Sequence, residues 1–325
     1  MRMKFSRRRV LQTAAAVAAF PRLAAAQTYP SRPIHLVVGF PAGSSTDISA
    51  RIMGPWLAER LGQPVVIENK PGAGTNIAAQ AVVSAPPDGT TLLWMTTANA
   101  SNVSLYPALA FNLLRDITPV AGVVSLPMVL EINPSLPAKT IGEFIDYAKA
   151  NAGKINLASN GVGSVSHLAG ELFKAMTGTS MTHVPYRGSP PALADLIGGQ
   201  VQAMVDAVPA SLPHIRSGKL RALAVTTAMR SHVLPDVPSI GESVPGYDAS
   251  VWIGIGAPKD TPAAIVERVN AEVNAGLANP GIKTRYAELG NTTMPLTPAQ
   301  YGAFMAAETA KWAKVVRDAN IRIEP

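Results

Sequence analysis

The sequence contains no cysteine, few charged residues and, after residue 26, no apolar run of about 18 residues. The lack of cysteine excludes a disulfide framework, thiol catalysis and thiolate metal sites, although it leaves the cellular compartment open. Charged residues make up 15% of the chain and hydrophobic residues 47%, a balance typical of compact globular proteins. The sequence after residue 26 therefore predicts a globular protein without a membrane-spanning helix.

The first 26 residues predict an export signal. Residues 4–9 are basic, residues 10–20 form an apolar run too short to span a bilayer, and residues 23–26 include the small alanines that signal peptidase prefers. Residues 6–11 resemble a twin-arginine signal, although an ordinary secretory signal also begins with basic residues. We expect cleavage after Ala26, before Gln27, and a mature protein in the periplasm.

The positive charge of the chain is concentrated in this predicted signal. Six basic residues and no acidic residue lie there, so its removal lowers the formal net charge from +7 to +1. The remaining lysines and arginines are scattered without interleaved aromatic residues, which argues against a nucleic-acid surface. We expect the mature protein to be a monomer that binds no nucleic acid.

The length of 325 residues exceeds what one hydrophobic core usually organises, which predicts two lobes. Strand-length apolar runs alternate with helix-length amphipathic runs, as in βαβ units. The predicted strands cover residues 34–38, 65–67, 92–95, 155–158, 181–184, 203–205 and 220–225. The predicted helices cover residues 47–61, 76–84, 140–150, 163–176 and 190–197. The predicted fold class is α/β, each lobe being a mostly parallel sheet flanked by helices, with the ligand cleft between the lobes.

The order of these elements suggests where the chain passes between lobes. We expect a first lobe over residues 27–125, a second over residues 126–248, and a return of residues 249–325 to the first lobe. The proline-rich residues 233–245 are the candidate crossing segment, with a surface loop as the alternative. Thr140 begins a predicted capping box, and Thr261 and Thr297 each precede a proline, which predicts that they cap helices.

A glycine-rich loop separates the first predicted strand from the first predicted helix. Its sequence is Gly39-Phe40-Pro41-Ala42-Gly43-Ser44-Ser45-Thr46-Asp47. Ligands of open α/β sheets bind at the carboxyl ends of strands, where small residues let main-chain amides and the helix dipole reach an anion. The loop therefore predicts an anion site, with simple helix capping by its polar side chains as the alternative.

A similar loop follows a strand of the predicted second lobe. Its sequence is Ser159-Asn160-Gly161-Val162-Gly163-Ser164-Val165-Ser166-His167. Two such loops facing each other would grip both sides of a carboxylate. Neither loop continues as a nucleotide-binding P-loop or completes the Gly-x-Gly-x-x-Gly fingerprint. A third glycine-rich segment, residues 71–76, is interpreted mainly as a turn, with a position bordering the ligand as the alternative.

Enzymatic chemistry has little support in the sequence. No Gly-x-Ser-x-Gly motif is present, so a serine hydrolase would have to use Ser44, Ser45 or Ser164 without that strained turn. The five histidines lack metal-ligand spacing, and we expect neither a metal nor a cofactor. His167 is interpreted as a structural or ligand-orienting residue. Asp206 is expected either to orient ligand or water, or to cap the segment after Pro209.

Many ordered motifs of this chain resemble the tripartite tricarboxylate transporter substrate-binding family, also called the Bug family. The resemblance covers nearly the whole chain after residue 26. It rests on residues 29–34, 41–51, 68–74 (Glu68-Asn69-Lys70-Pro71-Gly72-Ala73-Gly74), 88–93, 183–188 (His183-Val184-Pro185-Tyr186-Arg187-Gly188), 198–201, 234–239 and 252–254. The resemblance implies a type II periplasmic binding fold that closes on its ligand, and ligands that are mainly carboxylates and amino acids.

The resemblance also implies which residues hold the ligand. A carboxylate would be bound by main-chain amides of the two loops, helped by ordered water. The corresponding positions are Phe40, Ala42, Gly43, Ser45, Thr46 and Asp47 in the first lobe and Ser159, Gly161, Gly163, Ser164, His167 and Asp206 in the second. Ser44 departs from the family pattern, which commonly has glycine there, so its hydroxyl would add a contact or narrow the site. Tyr186 and Arg187 are candidates for contact with a second carboxylate, with a solvated surface charge as the alternative for Arg187.

Three functions follow as hypotheses. The leading one is capture of a small carboxylate for a membrane transporter, without covalent change to the ligand. A sensory role, in which the closed form docks on a receptor, is the second. A hydrolase that uses Ser44 or Ser45 with His167 comes from another class, and no motif supports its triad geometry.

Overall fold

A computed structural model describes residues 29–106 and 108–322 of the protein. Within these ranges the chain forms two β-sheets, each flanked by helices. The predicted export signal, residues 1–26, lies outside the described residues and stays a prediction. Among the residues that are described, no helix combines the length and apolar character needed to cross a membrane.

The first sheet places strands from the end of the chain beside strands from its beginning. In spatial order its six strands are β11 (Thr292–Thr293), β4 (Ile117–Leu126), β10 (Val251–Pro258), β3 (Thr91–Thr96), β1 (Ile34–Val38) and β2 (Val65–Asn69). Strand β1 pairs in parallel with β2 and β3. Strand β10 is antiparallel to β3 and β4, and β11 is antiparallel to β4.

The second sheet repeats this arrangement with five strands. In spatial order they are β7 (Thr182–Pro185), β6 (Asn156–Ser159), β8 (Ala203–Ala207), β5 (Met128–Ile132) and β9 (Arg221–Val225). Strand β6 pairs in parallel with β7 and β8, whereas β5 is antiparallel to β8 and β9. Each sheet and the helices packed on it are called the first and the second lobe below.

The α/β fold class is confirmed, but both sheets are mixed where the sequence predicts mostly parallel strands. The cause is the way the chain passes between the lobes. Strand β4 leads through Pro127 directly into β5, and β10 brings the chain back to the first sheet. Because β4 leaves this sheet and β10 enters it, these neighbours run in opposite directions. Parallel pairing would need a helical crossover that this connection lacks.

Helices cover the sheets of both lobes. Those of the first lobe are α1 (Ser45–Leu61), α2 (Asn76–Val83), α3 (Thr97–Leu105), α4 (Leu113–Asp116), α9 (Ala263–Ala278), α10 (Pro280–Glu288) and α11 (Pro298–Asp318). Those of the second lobe are α5 (Ile141–Ala150), α6 (Val165–Thr177), α7 (Ser189–Ile197) and α8 (Val208–Arg216). Helices α9 and α11 pack on β4, α10 packs on α1, and α11 also reaches α6. The C-terminal helices therefore lie mainly on the first sheet.

Each strand and helix predicted above lies within about two residues of an observed one. Helix α3 has no counterpart in the prediction, because its buried side includes Asn99, Ser101 and Asn102 rather than an apolar stripe.

The predicted helix caps have mixed outcomes. Thr297 caps α11 as predicted, and its hydroxyl accepts a hydrogen bond from the amide of Gln300. The prediction for Thr261 is wrong, because Pro262 is extended and α9 begins one residue later. The Thr261 hydroxyl instead donates to the carbonyl of Pro258 at 2.7 Å. Thr140 caps α5, but the Glu143 carboxylate that would complete its capping box accepts from the amide of Lys139.

The proline-rich residues 233–245 do not cross between the lobes. Leu234 packs beside Val129 and Val225 of the second sheet, and Ser239 bridges to Val225. The chain crosses after this segment, where the Ala249 amide donates to Thr226 and the Trp252 amide donates to the Thr97 hydroxyl. Apolar contacts on the second sheet therefore hold the proline-rich segment within that lobe. The predicted lobe boundaries, after residues 125 and 248, stay predictions.

Glu131 is a carboxyl group in the middle of β5, with a side chain that is 0% exposed. One of its oxygens accepts a hydrogen bond from the Ser211 hydroxyl at 2.7 Å, and the other has no partner among the described residues. Burial raises the pKa of Glu131 from its ordinary 4.5 to about 8, and the nearby charge of Asp206 adds to the effect. Glu131 is therefore protonated in the folded protein at neutral pH.

Replacing Glu131 by glutamine is expected to stabilise the protein increasingly as the pH rises. A carboxyl whose pKa is raised by folding contributes stability that is fully present below pH 4.5 and is lost as the pH approaches 8. The free energy of unfolding of Glu131→Gln minus that of the wild type should therefore grow across this window, as measured by urea unfolding. The exposed Glu267→Gln is the matched control, and a difference for Glu131→Gln that stays constant with pH would contradict this account.

Candidate functional site

A cleft of about 520 Å³ lies between the two lobes. Its walls come from the segments that follow β1, β2 and β3 in the first lobe and β6, β7 and β8 in the second. These are the carboxyl ends of the parallel strands in each sheet, the edge at which open α/β sheets bind ligands. The cleft is therefore the candidate functional site.

Side chains of the first glycine-rich loop form hydrogen bonds with main-chain amides at the start of α1. Gly43 adopts φ +82°, and its amide donates to the Asp47 carboxylate at 2.8 Å. Ser44, with φ −67° and ψ 159°, caps the helix by accepting from the amide of Asp47 at 3.3 Å. Glycine suits position 43 because side chains disfavour this left-handed conformation.

The second glycine-rich loop has the same backbone conformation at the start of α6. Gly163 adopts φ +74°, and its amide donates to Nδ1 of His167 at 3.1 Å. Ser164, with φ −65° and ψ 157°, accepts from the amide of His167 at 3.2 Å. A histidine thus replaces the carboxylate of the first loop, while the serine cap is retained.

Each loop leaves the amides of the first two helical residues free to face a ligand. In the first lobe these belong to Ser45 and Thr46, and in the second to Val165 and Ser166, all of which line the cleft. Within residues 29–106 and 108–322, none of these four amides donates a hydrogen bond. Two helix starts from opposite lobes therefore present unpaired donors and positive dipole ends to one space.

The buried carboxylate of Asp47 holds the first loop in place through hydrogen bonds. Its side chain is 2% exposed and accepts from Nε of Arg51 at 2.8 Å and from Nδ2 of Asn69 at 2.9 Å, besides the Gly43 amide. The hydrogen bond from Arg51 is the main cause that lowers the pKa of Asp47 to about 2. Asn69 also donates to the carbonyl of Phe40, so both ends of the loop are held.

His167 supports the second loop as one member of a stacked pair. Because a main-chain amide can only donate, Nδ1 of His167 is the acceptor and the ring proton lies on Nε2. The ring stacks on His183 with centroids 3.6 Å apart, and Nε2 of His183 lies 2.6 Å from the Ser159 hydroxyl. Burial, followed by the neighbouring His167, lowers the pKa of His183 to about 4. At neutral pH His183 is therefore uncharged.

Asp206 connects three loops of the second lobe. Its side chain is buried, and one carboxylate oxygen accepts from Asn160 at 3.1 Å, from Ser189 at 2.8 Å and from the amide of Ala207 at 2.8 Å. Burial raises the pKa of Asp206. The Ala207 amide precedes α8, which has no side-chain cap, so the capping alternative for Asp206 is wrong.

The residues predicted from the sequence divide into two groups. Those that line the cleft are Phe40, Ser45, Thr46, Gly161, Gly163 and Ser164. Those that lie outside its lining are Ala42, Gly43, Ser44, Asp47, Ser159, His167 and Asp206. Most of the second group hold the loops in place, and the Ser44 hydroxyl is engaged in capping α1.

Part of the wall comes from the third glycine-rich segment, in line with its alternative interpretation, and part comes from residues after β3, which sequence reasoning missed. Pro71, Gly72, Gly74 and Thr75 of the segment interpreted mainly as a turn line the cleft, as do residues after β3. Thr75 has φ +85°, an unusual conformation for a β-branched residue, and its hydroxyl accepts from Asn99 at 3.0 Å. Their position in the sequence could have indicated this role, because these residues directly follow predicted strands and ligands bind at the carboxyl ends of strands.

The structure does not pair the serines suggested for a hydrolase with His167. The Ser44 hydroxyl caps α1, and the Ser164 hydroxyl donates to Gly161 while it caps α6. Nδ1 of His167 is occupied by the Gly163 amide, and no described serine hydroxyl forms a hydrogen bond with this ring. A base must be within hydrogen-bond reach of the hydroxyl that it activates.

Two lobes joined at one side, with a cleft lined by helix starts, define the class of periplasmic solute-binding proteins. Solved structures of this kind superpose on the chain. The R. palustris protein Rpa4515 with adipate has a TM-score of 0.79 and 37% identity, over 91% of this chain and 100% of that one. The periplasmic binding protein BugD has a TM-score of 0.76 and 35% identity, over the same shares.

Sequence comparison identifies the family. Residues 49–321 match the tripartite tricarboxylate transporter family receptors. Protein BugT of Bordetella pertussis is 40% identical over 302 residues, which cover 92% of this chain and 93% of BugT. The chain therefore belongs to the tripartite tricarboxylate transporter receptor family, and the resemblance inferred from its motifs is confirmed.

Removal of the Asp47 carboxylate is expected to destabilise the protein. Asp47→Ala should lower the free energy of unfolding by about 1–3 kcal/mol at neutral pH, because buried donors lose their acceptor. The pKa of Asp47 is about 2 in the fold against an ordinary 3.8, so its stabilisation is present above pH 3.8 and is lost as the pH falls toward 2. The difference between wild type and variant should shrink over that window, as followed by urea unfolding.

The matched control is Asp318→Ala. Asp318 pairs with Lys314 at the end of α11, and its side chain is 43% exposed. Its removal is expected to change the free energy of unfolding by less than about 0.5 kcal/mol. Equal losses in the two variants would show that Asp47 is an ordinary surface charge.

Proposed function

We propose that the protein captures a small carboxylate in the cleft between its lobes and delivers it, chemically unchanged, to a tripartite tricarboxylate-type transporter. The observation that carries this proposal is the convergence on one cleft of four amides that donate no hydrogen bond to any residue that the structure describes. They belong to Ser45, Thr46, Val165 and Ser166. Family membership and the adipate-bound relative support a carboxylate as the ligand. The export signal predicted over residues 1–26 supports a location in the periplasm.

The proposed contacts follow from the two helix starts. Helices α1 and α6 are 17 and 13 residues long, and each directs its positive end at the cleft. A carboxylate has two oxygens that can accept from both helices at once. Hydrogen bonds to a charged group contribute about 1.5–3 kcal/mol each, so the bound anion would hold the two lobes together.

The predicted site residues take different parts in this proposal. Phe40, Ser45, Thr46, Gly161, Gly163 and Ser164 would contact the ligand directly, since they line the cleft. Asp47, His167 and Asp206 would act through the loops that they hold. The peptide links at Pro127 and near Ala249 are where the chain passes between the lobes, so closure would bend the protein there.

Proline at the first helical position tests the amides without disturbing the helix. Ser45→Pro and Val165→Pro each remove one N–H, and proline is favoured at this position. The preceding residues Ser44 and Ser164 have ψ of 159° and 157°, as a residue before proline requires. The binding affinity for the tightest acid in a thermal-shift panel should fall about 10- to 100-fold in each variant, as measured by calorimetric titration.

Ala263→Pro is the control for this experiment. Ala263 is the exposed first residue of α9, away from the cleft, and follows Pro262 with ψ 135°. Its affinity should equal that of the wild type. Unchanged affinity in both cleft variants would exclude these amides as the anion site, and a panel of acids without any thermal shift would exclude carboxylate capture.

A further inference from the structure

We propose that the stacked pair of His167 and His183 positions the second glycine-rich loop only while both rings are uncharged, so that proton uptake by the pair weakens ligand binding. This inference rests on the proposed function, because it concerns the loop that precedes two of the four cleft amides. It adds His183 as a positioning residue and makes release of the ligand sensitive to acid.

His167 holds the loop through a ring nitrogen that carries no proton. Nδ1 accepts from the Gly163 amide at 3.1 Å, and only the neutral ring has an acceptor nitrogen. In the imidazolium both nitrogens bear hydrogens, so two donors would face each other across this contact. Proton uptake by His167 therefore breaks the bond that holds Gly163, two residues before the first free amide of α6.

His183 holds the other glycine of the loop through Ser159. Nε2 of His183 lies 2.6 Å from the Ser159 hydroxyl, and that hydroxyl accepts from the amide of Gly161 at 3.2 Å. The hydroxyl also lies 3.2 Å from the Gly161 carbonyl, so its shorter contact is the one with the ring. The two rings are stacked with an interplanar angle of 5°, and together they hold both Gly161 and Gly163.

The two rings oppose each other's charge. Their centroids are 3.6 Å apart, so a proton on one ring disfavours a proton on the other. Burial is the main cause that lowers the pKa of His183 to about 4; His167 and Lys174 add to this effect and Glu171 opposes it. At pH values well above 4, a proton taken up by the pair therefore resides on His167.

Glu171 supplies the charge that favours this proton uptake. Its carboxylate lies 3.6 Å from Nε2 of His167, one turn further along α6, and it pairs with Lys174 at 2.8 Å. Although burial raises the pKa of Glu171, its contacts with His167 and Lys174 lower that pKa overall. Among the described residues, the charged or titratable groups that act on the pair are thus Glu171, which favours the imidazolium, and Lys174, which disfavours it.

The first loop provides an internal comparison. Asp47 occupies the position equivalent to His167 and accepts from the Gly43 amide at 2.8 Å. The hydrogen bond from Arg51 is the main cause that lowers the pKa of Asp47 to about 2, so this carboxylate remains an acceptor wherever an imidazole titrates. Acid is therefore expected to loosen the loop on one side of the cleft and to leave the other intact.

A charge on His167 has a second, opposing effect, because it attracts the bound anion. His167 lies outside the lining of the cleft, and its side chain is 7% exposed. The donors that face the ligand are the amides of Val165 and Ser166, and hydrogen bonds weaken steeply when donor and acceptor are misaligned. We expect the loss of loop geometry to outweigh the attraction.

Calorimetric titration across pH tests the inference on the full chain, unfolded and refolded to remove any copurified ligand, with the tightest acid of the thermal-shift panel. His167→Asn keeps an acceptor that does not titrate, and Asp47 shows that a side chain of this length reaches the glycine. Between about pH 8 and about pH 5.5, the affinity of the wild type should fall at least about tenfold more than that of the variant. Both proteins share the titration of the ligand, Glu131 and Asp206, so the comparison removes it.

His214→Asn is the control for this experiment. His214 lies in α8, outside the lining of the cleft, and its replacement should keep the wild-type pH dependence. His167→Gln provides the same test if His167→Asn does not fold. An equal fall in the wild type and the folded variant overturns the inference, as does tighter binding by the wild type in acid, and both results leave carboxylate capture intact. Absence of binding at every pH overturns the proposed function together with the inference.

His183→Phe tests the second ring separately. Phenylalanine keeps an aromatic ring on His167 and removes the nitrogen that lies near the Ser159 hydroxyl. The affinity near pH 8 should fall about three- to tenfold, and the weakening in acid should persist because His167 is retained. Ser159→Ala should cost a similar factor, and the double variant should lose no more than either single one. Unchanged affinity in His183→Phe, or additive losses in the double variant, would overturn the positioning role of His183.

Discussion

The cleft depends on one hydrogen bond at the start of each of two helices, in which a side chain of the first helical turn accepts from a glycine amide of the preceding loop. In each, the side chain of the third helical residue accepts from the amide of the glycine four positions earlier, through Asp47 to Gly43 and through His167 to Gly163. The serine between them caps the third amide. These bonds occupy the amides on either side and leave the first two helical amides as the donors that face the other lobe. Aspartate and histidine serve the same geometric purpose because both present an acceptor at the right reach.

Binding an anion through main-chain amides differs from binding it through a charged side chain in two ways. They are held by the helix, so binding an anion requires no ordering of a long side chain. They bring no full charge into the cleft, so the described part of its lining contains no unpaired buried ion. Under the proposed function, the amides recognise the carboxylate that many acids have in common.

Local sequence patterns predicted a structural feature correctly where the contacts that stabilise it join residues close together in the chain. Thr297 caps α11 because its partner, Gln300, lies three residues away, whereas Thr261 fails because Pro262 stays extended and shifts the helix start. Asn69 was missed because its partner Asp47 lies 22 residues away. The proline-rich segment was not recognised as part of the second lobe because Leu234 is held by an apolar cluster on the second sheet, which no local pattern indicates.

The sequence by itself determined the alternation of strands and helices, the two glycine-rich loops and the family, because each depends on residues close together in the chain or on motifs in order. The tertiary structure decided the antiparallel half of each sheet and which loop residues line the cleft. It also decided that Ser44, Asp47 and His167 hold the loops rather than line the cleft. These outcomes depend on how the two lobes are placed against each other, and that placement arises from contacts between residues far apart in the sequence.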